Sequence, residues 1–355
     1  MIKKEVAIII PTYNERDNIA LLIKKISSIF KKSSINGLIL IVDDNSPDGT
    51  GEIAKKLGKK YKVEAIIRKK EKGYGNSVRE GFDFVIKNKI PIAVTMDADF
   101  SHNPEIIPEM IGELKAGNDV VIGSRRVKHG RIVGWSFWRH LCSFSAGNFS
   151  RFLLGLKTRD VTSGFRAYRA EVLKRIPLGK IRSNGYSFLE EILFYVESAG
   201  SKIKEVPITF KDRSRGKSKL SKKEILSFFI NILRLKIILF IHKYERLLKF
   251  LTVGITGIFV NMFFLWLFKN KINLSLELSS IIAIELSVLS NFVLNDAWTF
   301  RMNRKTIKIY RFLKYNVSVI FGIGINFLVL LILTNFFGFY YLLANYFFSS
   351  RWAWA

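Results

Sequence analysis

The sequence predicts an α/β domain with a doubly wound, mostly parallel sheet, followed by helices that associate with a membrane and cross it. Up to about residue 220, short continuous apolar runs alternate with amphipathic helical stretches, which is typical of parallel strands covered by helices on both faces. Beyond Lys222 the apolar stretches become long enough to cross the hydrocarbon core of a bilayer. The chain is therefore expected to have two parts that fold in different solvents.

The strands and helices of the first part follow one another in a regular order. VAIIIP (6–11) is predicted to be a first buried strand and not a signal peptide, because its short apolar run ends at a proline. In such a sheet, ligands bind outside the carboxyl ends of the strands. The later strands are LILIVDD (38–44), VEAII, PIAVTMDAD and VVIGS (120–124), and the helices between them are NIALLIKKISSIF, GTGEIAKKLGKKY and GNSVREGFDFVIKN.

The composition narrows the classes of protein to consider. The 355 residues carry a formal net charge of +28, which points to nucleic acid, an anionic membrane surface or phosphorylated ligands as partners. A hydrophobic content of 49%, with 30 Phe, is ordinary for a membrane protein and unusual for a nucleic-acid binder. Cys142 is the lone cysteine, which excludes an internal disulfide framework and a multi-cysteine zinc site.

The second part begins with a basic and apolar segment, residues 221–248, which predicts amphipathic helices on an anionic bilayer surface. A transmembrane domain of four helices is predicted over residues 249–355, from apolar stretches at 249–268, 276–295, 313–335 and 337–350. Residues 301–311 and the segment before the first stretch are densely basic. The positive-inside rule therefore predicts a multi-pass protein of the cell membrane, with a catalytic domain of residues 1–220 on the cytoplasmic face.

The predicted membrane domain also has the pattern of an internal duplication. KFLTVGITGIFVNMFFLWLF is similar to KYNVSVIFGIGINFLVLLIL, which aligns Asn261 with Asn326. LSNFVLNDAWTF is similar to LANYFFSSRWAW, which aligns Asn291 with Asn345. Two helices per repeat predict two parallel repeats, and chance similarity between Phe- and Leu-rich helices is the alternative.

Acidic or polar clusters follow three strands of the predicted sheet. PTYNE (11–15) ends the first strand, VDDNSPDGT (42–50) ends the second, and MDADFSHNP places Asp97 and Asp99 two residues apart after a later one. Capping of the next helix is the alternative interpretation of Ser46 and Asp48. Capping does not account for three clusters on one edge, and paired carboxylates suit a divalent cation shared with substrate phosphates. The edge is therefore predicted to bind a nucleotide.

Four motifs together resemble the inverting family-two glycosyltransferases: PTYNE, VDDNSPDGT, MDADFSHNP and DVTSGFRAYR (160–169). The pair DADFSHNP and DVTSGFRAYR is most similar to the dolichyl-phosphate mannose synthases. The resemblance covers residues 5 to about 220 and implies a sheet of the GT-A type; the tail resembles a small GtrA-like membrane domain. It implies transfer of mannose from GDP-mannose to dolichyl or polyprenyl phosphate, with inversion, in contact with a lipid bilayer.

The resemblance also implies a donor site along the edge. Tyr13 would contact the base or ribose, as would Asp43, and Asp97 would face the sugar. Asp99 would bind the Mg²⁺ or Mn²⁺ ion that bridges the diphosphate, with Ser101 as a second, shorter metal contact where relatives often have Gln. The implied nucleotide-sugar residues are Pro11, Tyr13, Glu15, Ile41, Asp43, Asp97, Ala98, Asp99, Arg213 and Lys219. The last two belong to the basic loop RSRGKSK (213–219), for which a membrane-facing role is the alternative.

An acceptor that is a lipid phosphate is already ionised near neutral pH and needs a cationic site instead of a general base. Two basic stretches stand where the resemblance places the acceptor, GSRRVKHGR (123–131) and FWRHLCS (137–143). Arg125, Arg139 and Ser143 are the candidates, with Arg139 also assigned to catalysis together with Asp97 and Asp99. His102 is expected to shape its loop. Of Glu190 and Glu191, one is expected to orient the sugar or a loop, and the other to be exposed.

Three rival functions stay open at this point. A lipid-phosphate hexosyltransferase that uses a UDP-sugar would share every motif above. A processive polysaccharide synthase would carry a Q-x-x-R-W motif, but the chain has no Gln and its only Arg-Trp pair is at 351–352. A basic membrane protein that binds nucleic acid would not display carboxylate pairs, so no nucleic-acid partner is predicted. No oligomeric state is predicted.

Overall fold

A computed structural model describes residues 4–69, 72–183, 185, 187–212, 222–300, 310, 327–334 and 340. The chain divides into two compact units, Met1–Ile237 and Ile238–Ala355.

A seven-stranded sheet forms the centre of the first unit, in the order β3-β2-β1-β4-β7-β5-β8. Every neighbouring pair is parallel except the two pairs that β7 makes, with β4 and with β5. This confirms the predicted mostly parallel α/β sheet. The strands of the sheet are β1 (Val6–Thr12), β2 (Gly37–Asp43), β3 (Val63–Ile67), β4 (Ile92–Thr95), β5 (Val120–Ser124), β7 (Arg166–Arg169) and β8 (Ile203–Pro207).

A second, two-stranded sheet lies beside the first. It pairs β6 (Arg131–Val133) with β9 (Thr209–Lys211) in parallel, and the N–H of Asp212 continues the pairing by donating to the carbonyl of Val133. The sequence pattern did not predict these strands, which have only three residues each. They connect the segment that follows β5 to the segment that follows β8.

Helices pack against both faces of the large sheet. Helix α1 shows why: its apolar residues recur at helical spacing, and Ile19, Leu22, Ile23 and Ile26 are completely buried against β1 and β2. Each such side chain contributes about 1.5–3 kcal/mol when it leaves water. The helices of this unit are α1 (Arg16–Lys32), α2 (Thr50–Leu57), α3 (Tyr74–Lys87), α4 (Ile107–Lys115), α5 (Phe137–Leu154), α6 (Ala170–Arg175), α7 (Phe188–Ser198) and the first part of α8 (Lys222–Lys243).

The strand order brings the carboxyl ends of β1, β2, β4 and β5 to one edge of the sheet. Thr12 is paired with Asp43 in the register of β1 and β2, so the two loops that follow these strands start side by side. Strand β7 runs in the opposite direction and therefore begins at the same edge, where Arg166 is paired with Thr95 and with Ile122. The loop of residues 160–165, which precedes β7, thus lies between the ends of β4 and β5.

The described part of the second unit consists mainly of two long helices. Helix α9 (Glu245–Asn270) and α10 (Leu276–Leu294), which one π-helical turn extends to Thr299, are both long and apolar enough to span a membrane. The helix α9 begins four residues before the predicted first stretch, directly after α8. The predicted stretches at 313–335 and 337–350 lie largely outside the described residues. Within the first of them, residues 327–334 are described and are helical.

The two helices approach each other closely at Gly257. A Cβ atom at this position would lie 2.3 Å from Nδ2 of Asn291, and the Ser287 hydroxyl donates to the Gly257 carbonyl at 2.8 Å. A small residue that lets two helix backbones come close is typical of packing inside a membrane. Asn261, one of the residues of the predicted repeat, is buried in α9, whereas its counterpart Asn326 lies outside the described residues.

Candidate active site

The loops that follow β1 and β2 are joined by hydrogen bonds at the sheet edge. The Ser46 hydroxyl accepts from the Asn14 N–H at 2.9 Å, and Asp48 accepts from the Arg16 N–H at 3.0 Å. Asp48 also accepts from the N–H and the hydroxyl of Thr50 at the start of α2. Of the two residues that the capping interpretation named, only Asp48 bonds to the start of α2, at Thr50, whereas the Ser46 side chain bonds to Asn14 and Asp43. Both side chains fix the first loop against the second.

Asp43 is buried directly beneath these loops. Its carboxylate, in a residue only 1% exposed, accepts from the Thr12 hydroxyl at 2.8 Å and from the N–H and hydroxyl of Ser46 at 2.8 and 2.6 Å. In this geometry Asp43 shapes the loop, and its predicted contact with the base or ribose stays a prediction. Ile41 belongs to the core, so only its main chain is left for a contact with a nucleotide.

The exposed side of the same edge carries the other donor candidates. Tyr13 is 38% exposed, and the ammonium of Lys72 lies 5.2 Å from the centre of its ring. Glu15 lies at the start of α1, where its carboxylate accepts from the Asn18 side chain at 2.9 Å. Pro11 is partly exposed one residue before the end of β1. The structure thus places Pro11, Tyr13 and Glu15 between the end of β1 and the start of α1, and their contact with a nucleotide stays a prediction. Arg213 and Lys219 lie outside the described residues.

Asp97 and Asp99 follow β4 with half-buried side chains, and Ala98 between them is buried. The loop that carries them turns sharply, since Phe100 has a φ of +61° and the Ser101 N–H donates to Asp99 at 3.0 Å. Ser101 itself is 2% exposed. Its burial favours a role in the turn and does not favour the predicted contact with a metal ion.

His102 fixes the position of this loop. Its Nδ1 accepts from the Asp97 N–H at 3.1 Å, and its ring stacks on Phe165 with centroids 5.2 Å apart. Burial lowers the pKa of His102, although the carboxylates of Asp97 and Asp99 act in the opposite direction. A neutral, enclosed imidazole agrees with the predicted role in loop shape and with no proton transfer to a substrate.

The donor set at this edge determines which metal ion it could bind. Among the described residues, no group of three or more His, Cys, Asp or Glu side chains is placed to hold a metal ion. Asp97 and Asp99 alone offer hard carboxylate oxygens, which suit Mg²⁺ or Mn²⁺ when the remaining ligands come from a diphosphate and water. The pair therefore fits an ion that arrives with the substrate.

The basic side of the edge begins at the end of β5 with a buried ion pair. Asp160 accepts from the Arg125 N–H at 2.8 Å and from Nε and Nη2 of the same residue at 2.8 and 2.7 Å. The Arg125 guanidinium also donates to the Thr162 hydroxyl at 2.6 Å. Both charged residues are almost fully buried. The predicted acceptor ligand Arg125 is thus engaged by a partner that sequence reasoning missed, although Asp160 opens one of the quoted motifs.

The other two acceptor candidates lie on α5. Arg139 and Ser143 are four residues apart and share one face of the helix. Nη1 of Arg139 donates to both carboxylate oxygens of Asp212 at 2.9 Å, and its guanidinium lies 4.3 Å from the centre of the Trp135 ring. The side chain that reaches Ser143 is Arg126, whose Nη2 is 3.4 Å from the hydroxyl.

A further charged residue, Arg166, fixes the loop that precedes β7. Arg166 is completely buried and donates to the carbonyls of Val161, Ser163 and Leu189 at 2.7 to 2.8 Å. Three main-chain acceptors on one guanidinium fix the loop before β7 against the start of α7. Sequence reasoning did not assign this role, because the partners are carbonyl groups, which leave no pattern in a sequence.

Glu190 and Glu191 are both buried at the start of α7, so the expectation that one of them is exposed is wrong. Burial raises the pKa of Glu190 to about 8, and its Oε2 has no hydrogen-bond partner among the described residues. Glu191 accepts from Ser183 and from Nη2 of Arg234, the latter at 2.6 Å. Helix α7 packs both carboxyl groups against other elements of the unit, which a pattern of adjacent charges does not reveal.

The sheet of the GT-A type, its acidic carboxyl edge and the apolar C-terminal helices define the class: a glycosyltransferase fused to a membrane domain. Comparison with known proteins agrees, since residues 7–177 match the model of glycosyl transferase family 2 and residues 249–354 match that of the GtrA/DPMS transmembrane domain.

The chain is also similar over most of its length to characterised relatives. It is 42% identical to a dolichol-phosphate mannosyltransferase of Pyrococcus furiosus, over 96% of this chain and 94% of the relative. It is 40% identical to a polyprenol monophosphomannose synthase of Mycolicibacterium smegmatis, over 60% of this chain and 80% of that one. It is 37% identical to an undecaprenyl-phosphate mannosyltransferase of Micrococcus luteus, over 64% of this chain and 91% of the relative. The chain belongs to glycosyl transferase family 2, among the members that carry a GtrA/DPMS transmembrane domain.

Proposed function

We propose that this protein transfers mannose from GDP-mannose to dolichyl or another polyprenyl phosphate, with inversion, and so forms a β-linked polyprenyl mannosyl phosphate. The observation that carries the proposal is the 42% identity to a dolichol-phosphate mannosyltransferase over 96% of the chain. The names of two more relatives also combine mannose with a polyprenol-type phosphate. The choice of GDP as the nucleotide of the donor rests on the motifs DADFSHNP and DVTSGFRAYR alone.

The geometry of the site supports a phosphate as the acceptor. A phosphate monoester has a second pKa of about 6 and is largely ionised near neutral pH, so it can attack the sugar carbon without losing a proton to the enzyme. His102 and Glu190 are poorly placed to act as a base, because both side chains are buried. Arginine side chains on α5 and after β5 offer the positive charge that such an acceptor needs.

On the donor side, Asp97 is proposed to orient the sugar and Asp99 to hold a Mg²⁺ or Mn²⁺ ion. When bound, such an ion would neutralise the charge of the leaving diphosphate. Tyr13 and Glu15 are proposed to contact the nucleotide, with Asp43 shaping the loop beside them. Arg213 and Lys219 are proposed to close over the donor phosphates and to exclude water, which would otherwise hydrolyse the sugar nucleotide.

The membrane part is proposed to anchor the enzyme where its acceptor lies. The proposed organisation has a cytoplasmic catalytic domain of residues 1–220, juxtamembrane helices over 221–248 and a multi-pass domain over 249–355 with two parallel repeats. The densely basic residues 301–311 support the cytoplasmic orientation. On this view the membrane domain is not required for the chemical step.

A donor screen tests the proposal. The purified full chain is incubated in detergent with radiolabelled GDP-mannose, UDP-glucose or UDP-galactose, a polyprenyl phosphate, and Mg²⁺ or Mn²⁺. The expected result is a lipid-extractable product from GDP-mannose alone, with uncharged polyprenol as the inactive control acceptor. A product from a UDP-sugar and none from GDP-mannose would instead support the rival hexosyltransferase.

A further inference from the structure

We propose that Arg126 is a further ligand of the acceptor phosphate and that it acts together with the hydroxyl of Ser143. The inference rests on the proposed function, because it assumes a phosphate monoester as the acceptor. It adds a residue to the predicted set of Arg125, Arg139 and Ser143, and it follows from how the charges near the end of β5 are paired.

The first step is that the charge of Arg125 is already paired with Asp160. Its guanidinium donates two charge-assisted hydrogen bonds to Asp160 and one bond to Thr162, in an almost fully buried position. A buried pair of this kind is costly to separate, because either charge alone would remain without compensation. Asp160 therefore holds Arg125 in the frame of the site and fixes the main chain that carries the next residue.

The second step is that this fixed main chain directs Arg126 towards α5. The Arg126 N–H donates to the Ser124 hydroxyl at 3.2 Å, at the end of β5. Its guanidinium lies 5.5 Å from the centre of the Phe144 ring and reaches the hydroxyl of Ser143 at 3.4 Å. Arg126 thus bridges the sheet edge and the helix that carries the other two acceptor candidates.

The third step concerns the charge of this guanidinium. Arg126 is half-buried, and among the described residues no carboxylate lies within ion-pair distance of it. Burial lowers its pKa, with Asp160 and Arg125 acting in opposite directions. By contrast, Arg139 is paired with Asp212, and Arg125 with Asp160. Of these three arginines, Arg126 is the one whose charge the described carboxylates leave least compensated.

A phosphate monoester would supply the missing charge. It carries about 1.5 to 2 negative charges at neutral pH and has three acceptor oxygens. A guanidinium binds such a group through two parallel hydrogen bonds, and a serine hydroxyl beside it can donate a third. Arg126 and Ser143 therefore match the terminal phosphate of the acceptor, and a hydrogen bond from the Ser143 hydroxyl would hold a bound monoester in one orientation.

The test uses the purified full chain in detergent with three variants. Arg126→Ala removes the guanidinium, Arg126→Lys keeps the charge without the planar fork, and Lys128→Ala removes one positive charge from an exposed residue of the same segment. Binding of radiolabelled polyprenyl phosphate is measured at equilibrium with each variant, with uncharged polyprenol and inorganic phosphate as competitors. Steady-state kinetics then give separate KM values for the lipid phosphate and for the sugar nucleotide.

For Arg126→Ala we expect the Kd and the KM for polyprenyl phosphate to rise on the order of tenfold to a hundredfold, as for a lost charge-assisted hydrogen bond. The KM for the donor should change little, Lys should restore part of the loss, and Lys128→Ala should bind like the wild type. Polyprenol should not compete in any variant. Competition by inorganic phosphate as strong as that by unlabelled polyprenyl phosphate would mean that the site binds any free phosphate anion, and it would contradict a site for the lipid phosphate.

Two further outcomes would overturn the inference. One is a KM that rises for the donor and not for the lipid, which would assign Arg126 to the diphosphate. The other is an equal effect of Arg126→Ala and Lys128→Ala, which would indicate general attraction by positive charge. Failure of the proposed function is distinguishable, because binding of polyprenyl phosphate is measured without any donor and stands even if GDP-mannose proves to be the wrong one.

Discussion

Glu190→Gln tests whether a carboxyl group near the active site is held uncharged. The ordinary pKa of this group is 4.5, and burial raises it to about 8 in the folded protein. Between these values the folded state keeps a proton that the unfolded state has released. The stability from this group is therefore complete below pH 4.5, and it is lost as the pH rises through 8.

The size of the effect follows from the difference between the two values. A difference of about 3.5 pH units, at about 1.4 kcal/mol per unit, corresponds to about 5 kcal/mol of unfolding free energy. About 3 to 4 kcal/mol of this falls between pH 5 and pH 8, because the loss begins near pH 4.5 and is complete only above pH 8. For a unit of this size, 1 kcal/mol shifts the thermal midpoint by about 2 to 4 °C, so the wild type should lose about 7 to 14 °C over that range from this group. Gln has the same shape and carries no charge at either pH.

The assay is thermal unfolding of the full chain in detergent, followed by tryptophan fluorescence at several pH values. We expect the midpoint of Glu190→Gln to fall less with rising pH than that of the wild type, and Glu171→Gln, an exposed carboxyl group in the first turn of α6, to follow the wild type. Parallel curves for wild type and Glu190→Gln would refute the reasoning, because the group would then titrate equally in both states.

Three further predictions concern the two sides of the site. Asp99→Ala should abolish metal-dependent turnover in a chain that still folds and unfolds cooperatively, and activity near that of the wild type at saturating Mn²⁺ would exclude the metal role. Asp160→Ala should cost about 3 to 5 kcal/mol by leaving the Arg125 charge buried and unpaired, and Arg125→Met in the same chain should recover part of it; additive losses in urea unfolding would contradict the ion pair. Arg139→Ala should raise KM for the lipid phosphate and Arg213→Ala KM for the donor, and an identical pattern in both variants would favour one shared phosphate site.

The sequence predicted well those features that local pattern determines. VVIGS coincides with β5, and the convergence of three acidic strand ends follows from parallel strands, which Thr12 and Asp43 show by their paired register. The role of His102 in the loop after β4 was also predicted, because its motif places it close in sequence to Asp97. In each case the interacting groups are neighbours in the chain or ends of adjacent strands.

The features that were missed depend on residues that are distant in the chain. Arg125 meets Asp160 across 35 residues, and Arg139 meets Asp212 across 73. No periodicity links such residues, so their charges were interpreted as free for a ligand. The antiparallel strand β7 was missed for a similar reason. It has only four residues, and their sequence does not indicate that they pair with β4 and β5.

The loop of residues 160–165 explains how the acidic and basic sides of the site are kept in register. The Thr95 hydroxyl at the end of β4 donates to the Gly164 carbonyl at 2.8 Å, and the Ser163 hydroxyl donates to the carbonyl of Gly123 in β5 at 2.6 Å. At one end of the loop Asp160 binds Arg125 on the basic side.

The other end of the loop reaches the acidic side. A Cβ atom at Gly164 would lie 3.6 Å from Oδ1 of Asp97 and 2.8 Å from the Tyr74 hydroxyl, so only glycine fits there without displacing a neighbour. One short segment is therefore hydrogen-bonded to the end of β4 near the acidic side and to β5 and Arg125 on the basic side. Group transfer requires the reacting atoms of donor and acceptor to be held about 3 to 3.5 Å apart, and a loop that is bonded to both β4 and β5 favours a fixed spacing between the two sides of the edge.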